Sequence, residues 1–355
     1  MSTVLPTLFF VALVASGPQL DVTVRGGGRT APESAVEGPE PDEGAEPAAL
    51  LSGDVSLAER LDSGLSLGIG GSFWIYAPEP DVDVFRLEPW VGYAPERTDD
   101  HRFTPTLAAR YRWESFPWVT TASSGRGEVL LGGHVGAPRR TWALSVQGID
   151  RRYFDGHVLD FRAASAGVEV PLLPDPSRAR LGLWVSGQVN EALSPLAEER
   201  LGWQGRVGAQ GSLPLRRATL GFSYRFYLAA GGEGEGATRR QFDPFGDYAD
   251  DADALSVGGF TQHRLQLDGS AFVGPWTLGL FAMSRVRSGE GGESTFALTL
   301  HTHGTVSRQI GRGVEAGLSL GVSDVRYADG GGFTDVYGWL GLSRRFDLGH
   351  PPQDP

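Results

Sequence analysis

The chain has 355 residues, enough for two soluble domains or one medium barrel, with 51 glycines, no cysteine and a formal net charge of -12. Lacking cysteine, it has no disulfides, thiolate metal sites, cysteine nucleophile or lipid attachment through an N-terminal cysteine, and no run of about 18 apolar residues supplies a membrane-spanning helix. The acidic balance argues against nucleic acid as a partner, and every basic residue is arginine, a side chain suited to sugar and anion contacts.

Val4 to Ala15 is an apolar core of signal-peptide length followed by the small residues Ser16 and Gly17, so residues 1–17 read as an export signal. Residues 18–63 read as a periplasmic linker rich in Gly, Pro and acidic residues, with Glu33, Glu37, Glu40, Asp42, Glu43 and Glu46 and little to bury. Within it, Ser56 to Leu61 suits a short helix, an extra strand or a small plug in a barrel mouth. From Gly64 one grammar holds: runs of alternating apolar and polar residues separated by Gly- and Pro-marked connections. Leu65, Leu67, Ile69, Phe73 and Ile75 share one face, and equivalent sets recur to the end of the chain. The run from Val158 to Val170 changes face around Ala163 and Ala164, which predicts a bulge there. The last two runs, Val314 to Ser323 and Val336 to Phe346, flank Gly330-Gly331-Gly332 and predict a hairpin.

These runs predict an all-β, antiparallel, up-and-down transmembrane β-barrel of about 14 strands over residues 64–346, followed by a tail at 347–355. The connections support it, because short ones such as Gly274-Pro275 alternate with long ones such as Ala229 to Gly259, as a barrel with two unlike rims requires. A soluble sandwich with this many long strands would need two cores and would leave edges to protect, whereas closure in lipid satisfies every backbone N–H and C=O. Trp74, Tyr76, Trp113, Trp142, Trp203 and Trp276 lie near run ends, where an interfacial girdle belongs.

If the apolar register faces lipid, its complement faces the lumen. That complement carries Arg86, Arg110, Arg112, Arg162, Arg206, Arg225, Arg264, Arg285 and Arg287, the amides Gln188, Gln204 and Gln266, and the acids Asp268 and Glu315. A basic interior concentrates anions; the competing reading is that the arginines pair with neighbouring carboxylates and stiffen the wall. Trp74, Trp90, Trp184, Tyr227, Tyr337 and Trp339 add stacking surfaces for sugar rings. His301 and His303 form a weak metal pair without a third ligand, so no metal or other cofactor is expected. Asp243, Asp247, Asp250, Asp251 and Asp253 depart from calcium-loop spacing and read as a solvated acidic loop. No G-x-S-x-G or H-E-x-x-H occurs, and the chain reads as non-enzymatic.

The alternating runs, unequal loops and closing V-Y-G-W-L-G-L-S-R-R-F strand resemble a Gram-negative outer-membrane β-barrel of porin-like or polysaccharide-export-like type. The resemblance implies an outer-membrane channel with lipid around it, sugar or anionic cargo, secreted polysaccharide included, and a periplasmic export or envelope partner. The alternative from another class is a closed barrel that anchors a surface adhesion or motility complex through its long loops.

Overall fold

The computed structural model describes residues 18–30, 48–61, 63–77, 83–95, 103–117, 123–136, 141–154, 160–173, 179–193, 200–231, 260–289, 296–311, 313–327 and 331–348. They form sixteen antiparallel strands in one closed barrel, each paired with its neighbours in sequence and the last returning to the first. In chain order these are β1 (Gln19–Arg29), β2 (Ala48–Arg60), β3 (Leu65–Ala77), β4 (Val84–Tyr93), β5 (Phe103–Ser115), β6 (Ser124–Val135), β7 (Trp142–Tyr153) and β8 (Phe161–Leu173). The second half comprises β9 (Arg180–Ala192), β10 (Leu201–Leu215), β11 (Ala218–Gly231), β12 (Phe260–Val273), β13 (Trp276–Gly289), β14 (Phe296–Gly311), β15 (Val314–Tyr327) and β16 (Gly332–Asp347).

The expected strand count of about 14 is corrected by β1 and β2, which lie inside the segment read as a linker with a plug. Leu20, Val22 and Val24 alternate with Asp21, Thr23 and Arg25, but Gly26 to Gly28 leave the pattern short. What makes this segment a strand is its neighbours: it pairs along its whole length with β16 on one side and β2 on the other. Its charges find partners on both sides, Asp21 with Arg345 at 2.8 Å, Arg25 with Asp54, and Arg29 with Asp335 at 2.7 Å. The segment expected to be a signal peptide (residues 1–17), residues 31–47 of the acidic segment and the tail beyond residue 348 lie outside the described residues.

The outer wall is apolar and open: Leu340, Leu280 and Leu320 are 66%, 65% and 60% exposed, values that only a lipid-facing surface explains for so many large side chains. A thirteen-residue strand such as β5, tilted by about 45°, rises ~30 Å, the thickness of the hydrocarbon layer. Trp113, Trp142, Trp203 and Trp276 are exposed near strand ends, as an interfacial girdle requires, whereas Trp74 and Tyr76 point inward and pack on Leu50. At one rim β10 and β11, β12 and β13, and β14 and β15 are each separated by two residues only. Gly274 and Gly313 adopt φ of 61° and 66°, left-handed values that glycine reaches without penalty. The widest gap between consecutive strands, residues 232–259, opens at the opposite ends of the strands.

The bulge expected at Ala163 and Ala164 is absent. β8 pairs without interruption through both residues, and its irregularity falls at Pro171/Leu173. The chemistry inverts, and the backbone does not. Ile149, Phe161 and Ala163 form an inward apolar cluster, while Asp150, Arg152 and Arg162 stand on the outer wall. Arg162 is 56% exposed there and donates to Asp150 at 2.8 Å, so its assignment to the lumen is corrected.

Candidate functional site

The inward face divides into sectors of different chemistry. From β4 to β7 it is a lattice of guanidinium and carboxylate. Arg86 meets Glu114 at 2.8 Å, Arg112 meets Glu88 at 2.5 Å, and Arg110 lies between Glu128 at 2.7 Å and Glu88 at 3.6 Å. Arg126 reaches Glu128 at 2.5 Å and Arg151 reaches Glu114 at 3.5 Å, so each carboxylate is shared by two guanidiniums or more. Charge is largely compensated across the strands, and the lattice stiffens the wall. Glu114, Glu128, Arg126 and Arg151 were missing from the sequence-derived set. Glu114 and Arg126 lie near the ends of β5 and β6, where alternation is weakest.

The sector from β10 to β13 is built differently. The register sets Arg225, Arg264 and Arg285 side by side on three consecutive strands, with Cα atoms about 5 Å apart. One level toward the long-loop rim lie Arg206, Tyr227, Gln262 and Arg287; one level away lie Gln210, Ser223, Gln266 and Met283. None of these wall positions is Asp or Glu. Directly opposed like charges destabilise a sheet, and here aromatic faces help hold them: Arg225 lies 5.9 Å from the ring of Trp184, Arg206 5.7 Å from Tyr227, and Arg287 4.2 Å from Phe260. Arg206 also donates to Gln188 at 2.6 Å and Gln204 at 2.7 Å, and Arg285 to Thr299 at 3.4 Å.

Three amides in this sector stand out, the first being Gln210, whose Nε2 donates to Glu169 at 2.7 Å while its Oε1 makes no hydrogen bond. Gln262 is wholly buried, and among the described residues neither its Nε2 nor its Oε1 makes a hydrogen bond. Gln266 is buried as well, and its Oε1 has no partner either. A buried amide left in that state costs about 1–3 kcal/mol, a sacrifice of stability that the fold alone does not explain. Sequence alternation places Gln262 on the inward face beside Gln266, but the sequence-derived set omitted it.

From β13 to β16 the wall is aromatic. Trp339 and Tyr337 stack at 5.1 Å, and Tyr337 continues onto His301 at 5.7 Å, with its hydroxyl 2.9 Å from His301 Nε2. His301 and His303, read as a weak metal pair, join Phe281 in the same ring cluster, and among the described residues no group of three or more ligands gathers anywhere. The ring of Tyr337 lies over Gly321, where a Cβ would come within 2.3 Å of it. Gly321→Val is therefore expected to expel Tyr337 and cost about 1–3 kcal/mol, read as a lower urea midpoint for the folded barrel in detergent.

The remaining residues expected in the lumen also lie on the inward face. Asp268 and Glu315 are exposed near the short-turn rim, whereas Arg225, Arg264, Gln188, Gln204 and Gln266, deeper along the strands, are buried. On β12 the change is abrupt, from Gln266 at 4% to an exposed Asp268 one inward position further on. The acidic residues Asp243 to Asp253 lie outside the described residues.

No family model matches the chain, and no curated protein matches its sequence. Among solved structures it is similar to a bacterial polysaccharide outer membrane secretin, at 12% identity and a TM-score of 0.51, over 94% of this chain and 99% of that one. It is also similar to CdiB from Acinetobacter baumannii, at 8% identity and a TM-score of 0.55, over 94% of this chain and 60% of that one. At such identities the likeness is one of fold, a closed antiparallel β-barrel, and it agrees with the lipid-facing wall.

Proposed function

We propose that the barrel is a channel for hydrophilic solutes across the outer membrane, favouring anionic and carbohydrate cargo, secreted polysaccharide included. The observation that carries this reading is the row Arg225, Arg264 and Arg285, three cations placed side by side on three consecutive strands of the inward face. Fixed positive charge in a confined, low-dielectric lumen raises the local anion concentration. Guanidinium groups add paired donors matched to carboxylate oxygens. Likeness in fold to a polysaccharide secretin is compatible with long carbohydrate chains as cargo.

Reconstitution in planar bilayers tests the proposal. Discrete current steps are expected, with a reversal potential under a KCl gradient that reports chloride passing more readily than potassium. A barrel that passes no current, or one that prefers potassium, would overturn the reading.

A further inference from the structure

The charges that stand on the outer wall at β7 to β9 border a groove, and the two features together make a site that faces lipid. We infer that Arg162, Glu191 and this groove bind one phospholipid with a phosphoethanolamine headgroup, its phosphate on Arg162, its ammonium on Glu191 and an acyl chain along the groove. The site is independent of what passes through the lumen.

The register builds it in two rows. Val129, Gly148, Ala164 and Val189 stand side by side on β6 to β9; one outward position nearer the rim opposite the two-residue turns stand Gly127, Asp150, Arg162 and Glu191. Small residues in the first row lower the wall there, and a Cβ added to Gly148 would meet nothing within 4 Å. The resulting open groove has a volume of about 970 Å³ and is walled by Tyr111, Val129, Val189 and Leu201. That is at the top of the range for small-molecule sites, about 300–1,000 Å³.

The second row gives the headgroup its chemistry. Asp150 is already engaged, accepting from Arg152 at 2.7 Å and from Arg162 at 2.8 Å. Among the described residues Arg162 commits only its Nε to that contact, so its two terminal nitrogens remain for an acceptor. Glu191 lies directly opposite Arg162 on β9 and makes no ion pair among the described residues; its carboxylate calls for a donor. A cation and an anion thus stand about 5 Å apart on neighbouring strands, close to the separation of phosphorus and nitrogen in phosphoethanolamine. A phosphoglycerol headgroup, by contrast, offers Glu191 no cation. Arg162 is the second residue of β8 and Glu191 the second from the end of β9. Both therefore sit at headgroup level, and the floor of the groove begins one outward step of about 7 Å toward the hydrocarbon.

Native mass spectrometry of the full-length protein in detergent tests the site, with phosphatidylethanolamine and phosphatidylglycerol of identical chains, and lipid A, as separate probes. One phosphatidylethanolamine per barrel is expected to bind on the order of tenfold more tightly than phosphatidylglycerol, the scale of one hydrogen bond to a charged group. Glu191→Gln, an isosteric change on the lipid-facing wall, is expected to erase that preference and leave phosphatidylglycerol binding unchanged. Arg162→Gln weakens both lipids, and Gly148→Leu, which fills the groove, weakens both alike. Should Gly148→Leu not fold, as judged by heat-modifiable gel mobility, the wild type and Glu191→Gln carry the comparison. Equal affinity for the two phospholipids, or an unaltered preference in folded Glu191→Gln, would overturn the assignment. Tighter retention of lipid A, or a dimer in place of a lipid-bound monomer, would overturn it as well, giving the groove to lipid A or to a second copy of the chain.

Discussion

Replacing Arg225, Arg264 and Arg285 together by glutamine is expected to move the reversal potential of the reconstituted channel toward zero under a KCl gradient. The loss of anion preference should be on the order of tenfold, the scale on which a confined field of one sign enriches counter-ions. The contrast with the other wall makes the result specific. Arg86 and Glu114 form one of the compensated pairs, so exchanging both for glutamine removes no net charge and should leave selectivity close to that of the wild type. If the two variants shifted the reversal potential equally, the row would have no special role. High salt should narrow the difference, since screening shortens the reach of fixed charge to a few ångströms.

Asp335→Ala is expected to be the most damaging single substitution for stability. Asp335 Oδ2 accepts from Arg29 Nε at 3.1 Å and Nη2 at 2.7 Å, and the two side chains are 1% and 3% exposed. Thr30 donates to the same carboxylate at 3.4 Å and accepts from the Val336 amide at 2.8 Å, so the contact fastens the strand pair that closes the barrel. Removing one member of a buried pair leaves the other charge desolvated, at about 3–5 kcal/mol. Urea titration with heat-modifiable mobility as the readout should show the loss. The double change Arg29→Met with Asp335→Leu, which removes both charges, should recover most of it; failure to recover would place the cost in packing and not in the orphaned guanidinium.

Much of this architecture was legible in the sequence, because side-chain alternation in a strand follows from backbone geometry and a lipid-facing wall demands apolar residues at every second position. The runs from Leu65 onward, the hairpin at Gly330 to Gly332 and the two unlike rims follow from that demand. β1 was harder to see. Its three outward apolar residues precede a glycine triplet, and its strand character comes from β16, whose pairing residues lie more than three hundred positions away, as the separation of 306 between Arg29 and Asp335 illustrates. β8 misled for another reason: alternation reports polarity, and where a barrel puts Phe161 inside and Arg162 outside, an inversion of chemistry is indistinguishable from a slip of one residue. The lumenal arginines were visible as a set, but their division into a paired lattice and an arginine row depends on which strand neighbours which, and on carboxylates such as Glu114 at run ends. Gln262 looked like any inward glutamine; its unmet amide is a property of the packed wall.

The union of β1 with β16 bears on how the molecule comes into being. Every other strand contact joins segments adjacent in the chain and can form as a local hairpin, whereas this one must wait until the last residues are in place, and it carries nearly the whole loop-closure entropy of the chain. Until then the sheet has two bare edges in or near the bilayer, each a row of unsatisfied amides. An assembly factor acting on this barrel thus has one natural point of action, the meeting of first and last strands, and a shortened chain beginning at Gly64 would present two edges with no means of closing them in the native register.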